Sequence, residues 1–265
     1  MELALFALEM LVLGLGVGLI SATLGLGGGI LMVPAFVLLV DGMDAHTAKG
    51  TSLFIIIFVA GLNAWQQNKG DPIPWRLVAL LVVGSIGGGY LGAWLTSPPV
   101  PETVVLWIFV LLMALTAVRA FFSRPVVVRA EGVERHDFLT ALIGLATGIT
   151  SGATGTGGGI VLVPLALTSG IVSNARVVAL SNLVMVATSI AGTIAHLRAD
   201  QTVALPYTYG NVTFSIVPMV FLGAVLSSPF GRMLNQKLPQ HTRQQLLGLL
   251  LIIVAIRLVF RAQAL

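Results

Sequence analysis

The run Gly25-Leu26-Gly27-Gly28-Gly29 interrupts an apolar stretch that covers residues 3–40. A second run, Gly155-Thr156-Gly157-Gly158-Gly159, interrupts the apolar stretch 138–170 in the same way. In a helix interior each glycine costs roughly 1 kcal/mol relative to alanine. Both runs therefore predict a helix that breaks at the glycines and starts again at Ile30 or Ile160.

The two glycine runs belong to an internal repeat with an offset of 130 residues. Residues 14–34 and 144–164 share 11 identities in 21 positions, and the same register places Thr51 over Ser181 and Ser52 over Asn182. A polar connection at 123–137 separates the two copies. We therefore predict a first transmembrane repeat at 1–122, a cytoplasmic connecting loop at 123–137 and a second transmembrane repeat at 138–265.

The composition indicates that lipid is the solvent of this chain. Hydrophobic residues make up 57% of the 265 positions and charged residues only 9%, whereas an ordinary soluble domain carries about 25% charge. A membrane-spanning helix needs about 20 apolar residues. Suitable runs lie near 45–66, 75–96, 103–122, 175–197, 204–228 and 244–262. We predict an all-α integral membrane protein with about eight transmembrane helices, arranged as two homologous four-helix repeats with broken first helices. Its expected location is the cell (inner) membrane, which it crosses several times.

Several classes of function are excluded by residues that the chain lacks. It contains no cysteine, which rules out thiol chemistry and disulfides. Its four histidines have no metal-ligand spacing, and no Ser-His-Asp set, paired carboxylate or Walker loop is present. The basic residues lie in short connections and do not cluster as nucleic-acid-binding proteins require. We therefore expect no enzyme, no cofactor, no metal and no nucleic-acid partner.

The glycine breaks predict a binding site for an anion. Unwound backbone at membrane depth persists only where protein or a water-filled cavity covers it, and free N–H groups at a helix start favour anions. Secondary transporters build midplane sites from broken helices of this kind. The alternative is that these glycines only allow close helix packing, as we expect for the four-spaced sets Gly14/Gly18, Gly84/Gly88/Gly92 and Gly144/Gly148/Gly152. The predicted backbone ligands are Gly27, Gly28, Gly29, Gly157, Gly158 and Gly159.

Polar side chains near the breaks are the second part of the predicted site. Hydroxyl and amide groups inside a membrane span are suitable donors to an oxyanion, although such groups commonly bond to carbonyls of their own helix instead. Thr154 and Thr156 lie at the second break only, so the two half-sites would differ in polarity. The candidate side chains are Thr51, Ser52, Thr154, Thr156, Ser181 and Asn182.

Charged and titratable side chains inside the spans are few. Burial of Lys49 at mid-bilayer would cost about 3 kcal/mol. Lys49 is therefore either a counter-ion for the substrate or a side chain that snorkels to the interface, and we favour snorkelling. Arg176 lies at the equivalent end of its span, with the same two alternatives. His46 and His196 are candidates for a proton relay, with a structural role as the alternative.

Two topologies of the repeats are compatible with the sequence. If each broken tract crosses the membrane once, the repeats are parallel; if each tract enters and returns as a hairpin, they are inverted. With the 123–137 connection in the cytoplasm, the inverted arrangement leaves 4 Lys and Arg residues outside and 10 inside. The parallel one leaves 5 outside and 9 inside. Because cytoplasmic loops carry an excess of Lys and Arg, we favour inverted repeats.

The motif Gly-Leu-Gly-Gly-Gly-Ile-Leu-Met-Val-Pro at 25–34, repeated as Gly-Thr-Gly-Gly-Gly-Ile-Val-Leu-Val-Pro at 155–164, resembles the TauE/SafE family of sulfite and sulfonate exporters. The stretches 48–53 and 222–224 are similar to that family too. The resemblance implies a secondary transporter, an exporter of a small sulfur oxyanion such as sulfite or sulfoacetate, driven by an ion gradient that H+ could supply. Some distant relatives use cysteine to carry thiosulfate, a mode that this chain cannot use. The alternatives are a passive anion channel and a membrane scaffold subunit that transports nothing.

Overall fold

The computed structural model describes residues 2–24, 29–67, 74–122, 137–173 and 176–264. Gly27, Gly28 and nearly all of the connecting loop lie outside these ranges. The helices are α1 (Glu2–Leu24), α2 (Gly29–Leu39), α3 (Ala45–Gln67), α4 (Trp75–Leu95), α5 (Glu102–Phe122), α6 (Asp137–Thr154), α7 (Gly159–Thr168), α8 (Val177–Arg198), α9 (Val217–Lys237) and α10 (Gln240–Gln263). A hairpin of strands β1 (Thr208–Tyr209) and β2 (Val212–Thr213) lies between α8 and α9.

Within the described part of the chain, seven helices are long and apolar enough to cross a membrane: α1, α3, α4, α5, α8, α9 and α10. Helices α2 and α7 are apolar but have only 11 and 10 residues. Helix α6 has 18 residues and buries several hydroxyl side chains, among them Thr147 and Ser151. The prediction of an all-α, multi-pass membrane protein is confirmed.

The four-spaced glycines join helices of one half to helices of the other. A Cβ added to Gly88 of α4 would meet the carbonyl oxygen of Leu145 in α6 and lie 2.8 Å from the nitrogen of Ile149. Gly14 and Gly18 of α1 meet α9 in the same way. Backbones approach this closely only where no side chain intervenes. The prediction that these glycines make helix contacts is confirmed.

Residue numbers along the glycine contacts give the relative direction of the helices. Gly84, Gly88 and Gly92 of α4 face residues 141–153 of α6 in rising order, so α4 and α6 run parallel. Gly50 faces His196 and Gly61 faces Val186, so α3 and α8 run antiparallel. Helices α3 and α8 also form the centre of the molecule, because 72% and 67% of their most apolar windows are buried, against 28–39% in the other spans.

The start of α9 differs from the expected span at 204–228. The helix begins at Val217 and continues to Lys237. Residues 201–216 contain Pro206 and Gly210, whose φ of +54° suits a turn, and they fold back as the β1–β2 hairpin. The hairpin end packs against α3 and α8: the Thr213 N–H donates to Thr51 Oγ1 (2.9 Å) and the Asn211 N–H to the His196 carbonyl (2.9 Å).

Candidate functional site

The start of α2 meets the second break near the middle of α3. A Cβ added to Gly29, the first residue of α2, would meet the carbonyl of Thr156 in the second break. The same added atom would lie 2.7 Å from Cδ1 of Ile56, and a Cβ on Gly157 would lie 3.2 Å from Cγ2 of Ile56. Since Ile56 is the central residue of the 23-residue α3, Gly29 and Gly157 lie near half the depth of a spanning helix.

The second break has a backbone that requires glycine. Gly155, Gly157 and Gly158 have φ values of +69°, +78° and +84° and are buried, in the left-handed region that L side chains rarely adopt. Gly158 is the N-cap of α7 and supplies no side-chain cap. The first N–H groups of a helix have no partner within it, so the start of α7 presents donors and a positive dipole end to the break.

Two hydroxyl groups that the sequence analysis missed lie across from this helix start. A Cβ on Gly158 would lie 2.6 Å from Cγ2 of Thr147 and 3.3 Å from Cβ of Ser151. Thr147 and Ser151 are fully buried, and neither hydroxyl has a hydrogen-bond partner among the residues that the structure describes. Two signals point to them in the sequence: their i, i+4 spacing on α6, and the identity of Ser151 with Ser21 in the repeat.

The predicted side chains at the second break bond to each other and to backbone. Thr154 and Thr156 are buried, and their hydroxyls lie 3.0 Å apart. The Thr154 hydroxyl also donates to the carbonyl of Thr150 (2.6 Å). Both side chains therefore stand at the break, where their hydroxyls fix its conformation.

The pairs 51/52 and 181/182 contact neighbouring backbone. The Ser52 hydroxyl donates to the carbonyl of Gly155 (2.9 Å). A residue of the first half therefore stabilises the break in the second half. Thr51 accepts a bond from the Thr213 N–H, and the Asn182 amide donates to the Val178 carbonyl (3.1 Å). Ser181 is buried one residue before Asn182. Their role as anion ligands stays a prediction.

Replacing Ser52 by alanine is expected to destabilise the protein, because the buried carbonyl of Gly155 would lose its donor. Such an unsatisfied group costs about 1–3 kcal/mol. The measurement is the midpoint of thermal unfolding in detergent. Ser228→Ala is the matched control, since that hydroxyl donates only to the carbonyl of Ala224 in its own helix. An equal, small effect of both substitutions would contradict the role of Ser52 as a support of the break.

The position of Lys49 differs from our expectation that its side chain snorkels to the interface. Its side chain is fully buried, and its ammonium donates to the carbonyl (2.8 Å) and the hydroxyl (2.9 Å) of Thr96 at the end of α4. Its Cα lies beside the second break, 2.7 Å from where a Cβ on Gly155 would stand, and the ammonium bonds inside the protein instead of reaching its surface. Arg176 is half-buried at the N-cap of α8.

Both candidate relay histidines are buried inside the protein. His196 is fully buried beside the backbone of Gly152, and neither ring nitrogen makes a hydrogen bond of normal geometry. His46 lies near Thr96 and Val100, and its Nδ1 is unbonded. Lys49 and His46 are close enough to His196 for electrostatic interaction. Among the described residues, no group of three His, Asp or Glu side chains is placed to hold a metal ion.

The sequence is similar to known membrane proteins over nearly its whole length. The family described as sulfite exporter TauE/SafE matches residues 10–258. A probable membrane transporter protein of Methanocaldococcus jannaschii is 28% identical over 91% of each chain. One of Bacillus subtilis is 24% identical over 95% of this chain and 96% of its own, and one of Haemophilus influenzae is 26% identical over 93% of each. No solved structure has significant similarity to the chain. The chain thus belongs to the TauE/SafE family, and it is a membrane transporter rather than an enzyme.

Proposed function

We propose that the protein is a secondary transporter that exports a small sulfur oxyanion, such as sulfite or sulfoacetate, through a site at the two glycine breaks. The observation that carries the proposal is the second break. There, the uncapped start of α7 faces the unbonded hydroxyls of Thr147 and Ser151 at mid-span. Backbone N–H groups and hydroxyls are donors, and donors alone are what an oxyanion requires.

The contact between the breaks supports one shared site instead of two. Gly29 at the start of α2 lies against Thr156, so the helix starts of both halves approach the same region. Ile56 of α3 lies against this region on one side. On the other side, a Cβ added to Gly157 would lie 2.6 Å from Cε of Met185 in α8. In the proposal, one anion binds between α2 and α7, with Gly27 and Gly28 as further ligands from the first break.

We further propose that the halves are inverted repeats that rock against each other. Helices α3 and α8 occupy equivalent positions in the repeat, and their antiparallel contact supports inversion. The equivalent pair α5 and α10 gives the same support, because Gly248 faces Phe121 while Ala255 and Ala114 line one groove. Rocking about this central pair would open the site to each face of the membrane in turn.

Inversion predicts that Asp41 and Lys237 lie on opposite sides of the membrane, whereas parallel repeats place both outside. Both residues are exposed next to helix ends. Because the chain has no cysteine, Asp41→Cys and Lys237→Cys can be labelled one at a time with a membrane-impermeant thiol reagent. We expect Asp41→Cys to react in intact cells and Lys237→Cys to react only after permeabilisation. Reaction of both in intact cells would contradict inversion.

The function is tested with purified protein in liposomes. We expect saturable uptake of sulfite or sulfoacetate and accumulation above equilibrium when an ion gradient is imposed. Downhill flux that does not saturate would identify a passive channel. Absence of any flux above that of protein-free liposomes would identify the scaffold alternative, in which the breaks only pack helices. Efflux from loaded cells with and without expression of the protein tests the direction of transport.

A further inference from the structure

Lys49 is a buried cation without a carboxylate partner. Its side chain has 0% exposure, and the ammonium bonds only to the neutral Thr96 among the residues that the structure describes. In those residues the sole ion pair joins Arg76 to Asp137. Truly unpaired charges in a protein interior cost several kcal/mol. The carboxylate of Asp44 acts on the ammonium only from beyond salt-bridge distance, so something besides a counter-ion must also offset the charge.

The ends of two parallel helices provide that offset. Thr96 is the C-cap of α4, and its hydroxyl lies 3.3 Å from the carbonyl oxygen of Ala153 in the last turn of α6. Helices α4 and α6 thus end together beside the ammonium. Each helix C-terminus carries roughly −0.5 elementary charge, so the two ends together balance about one positive charge. The ammonium of Lys49 consequently binds the end of α4, and the Thr96 hydroxyl extends the contact to the end of α6.

This contact is linked to the proposed anion site. Lys49 and Ser52 lie on one face of α3, three residues apart. The backbone of Lys49 packs on Gly155, and the Ser52 hydroxyl bonds to the carbonyl of the same glycine. Helix α3 therefore contacts the junction between α6 and the second break at two residues, Lys49 and Ser52. Only the contact made by Lys49 depends on charge, because a neutral amine is attracted to the carbonyl groups at a helix C-terminus far less than an ammonium is.

Groups that can accept a proton surround Lys49. On α3 these are Asp44, which interacts with it electrostatically, and His46; on α8 it is His196. Glu102 of α5 bonds to the N–H of Ala45 at the start of α3. Nδ1 of His46 and both ring nitrogens of His196 have no hydrogen-bond partner among the described residues, and such nitrogens can accept a proton. In the described parts of α4 and α6, no charged side chain faces Lys49.

We propose that Lys49 is the proton-binding site that couples transport to a pH gradient, an inference that rests on the proposed function. With the proton bound, the ammonium holds the ends of α4 and α6 against α3, and the second break keeps its conformation. When the proton moves to an imidazole nitrogen, one N–H bond breaks at Lys49 and another forms on the ring. The attraction between the Lys49 side chain and the helix ends then weakens. The break can then rearrange.

Two substitutions separate the charged from the neutral form: Lys49→Arg keeps a permanent charge, and Lys49→Met removes it. Sulfoacetate is the probe, because it remains a dianion around neutral pH. In liposomes, wild-type protein should accumulate sulfoacetate under an imposed pH gradient, and its exchange of internal for external sulfoacetate should vary with pH. Both variants should lose gradient-driven accumulation, while any exchange they retain no longer varies with pH. Lys237→Met, at an exposed lysine, is the control and should behave as wild type.

Accumulation by Lys49→Arg or Lys49→Met with the pH dependence of wild type would overturn the proposal. If wild-type protein neither exchanges nor accumulates sulfoacetate or sulfite, the proposed function itself fails. A third measurement does not require Lys49 variants to fold: proton uptake or release on sulfoacetate binding in weakly buffered detergent. Because this measurement is made at equilibrium, it counts protons and does not depend on the path they take, so a His46→Gln/His196→Gln protein should still exchange a proton on binding, only more slowly. Loss of that exchange would assign the proton to a histidine and refute Lys49.

Discussion

Replacement of Gly158 by leucine is expected to reduce anion transport to the level of protein-free liposomes while the protein is still expressed. Gly158 has a φ of +84°, and an added Cβ would lie 2.6 Å from Cγ2 of Thr147. A side chain at such a φ costs about 1–2 kcal/mol. The functional effect is larger still, because leucine would push the start of α7 away from the hydroxyls of Thr147 and Ser151. The measurement is sulfite flux in liposomes, alongside the amount of monodisperse protein.

Gly16→Leu is the control for this prediction. A Cβ on Gly16 meets nothing within 4 Å, although Gly16 lies in the equivalent first tract of the chain. We expect its flux to equal that of wild type. Gly158→Ala should show an intermediate loss, since alanine brings the unfavourable φ but fills less space. Wild-type flux in the Gly158→Leu protein would end the proposal that the anion binds at this helix start.

Leucine in place of Gly88 should prevent stable folding, so that transport and monodisperse protein are lost together. An added Cβ would meet the carbonyl of Leu145 and lie 2.8 Å from the nitrogen of Ile149. These are backbone atoms in the middle of α6, which cannot move aside as a flexible side chain can. Overpacking in a rigid interior costs about 1–3 kcal/mol and sometimes more. The measurement is the yield and unfolding midpoint of detergent-purified protein.

The neighbouring Gly87 is a close control, because it lies on the same helix and is exposed, with nothing within 4 Å of an added Cβ. Gly87→Leu should therefore fold and transport as wild type does. Gly88→Leu and Gly158→Leu would also differ from each other: the first removes the folded protein, and the second removes transport from folded protein. Normal yield and stability of Gly88→Leu would show that α4 and α6 can separate without cost.

Some parts of the candidate site could be predicted from the sequence because they depend on local conformation. The break before Gly159 follows from three glycines in one apolar tract, and the structure ends α6 and starts α7 around them. The i, i+4 spacing of Thr147 and Ser151 is visible in the sequence, but the lack of a hydrogen-bond partner for the Thr147 hydroxyl is not. Its importance arises from the fold, because the chain turns back after α6 and places Gly158 against Thr147 of that helix. Hydroxyl residues elsewhere in α6 look identical in the sequence.

Lys49 shows that the sequence also does not predict the partners of a buried charge. A lysine four residues into a span normally extends to the interface, and the sequence near it contains nothing to hold its ammonium. The partner, Thr96, is 47 positions away, and the helix end of α6 is more distant still. Only the parallel packing of α4 and α6 brings both ends to one point. The expected start of a span at 204 was wrong for a related reason, since residues 201–216 are held by contacts to Thr51 and His196.

By itself, the sequence determined that this protein lies in the membrane, that its chain is duplicated, and where its helices break. These properties depend on the transfer of apolar segments into lipid and on the backbone preferences of glycine, and both act within about 20 neighbouring residues. The tertiary structure decided which groups meet: Gly29 with Thr156, Ser52 with Gly155, and Lys49 with two helix ends. Such pairs are set by the packing of helices distant in sequence, where backbone contact through glycine selects the neighbours.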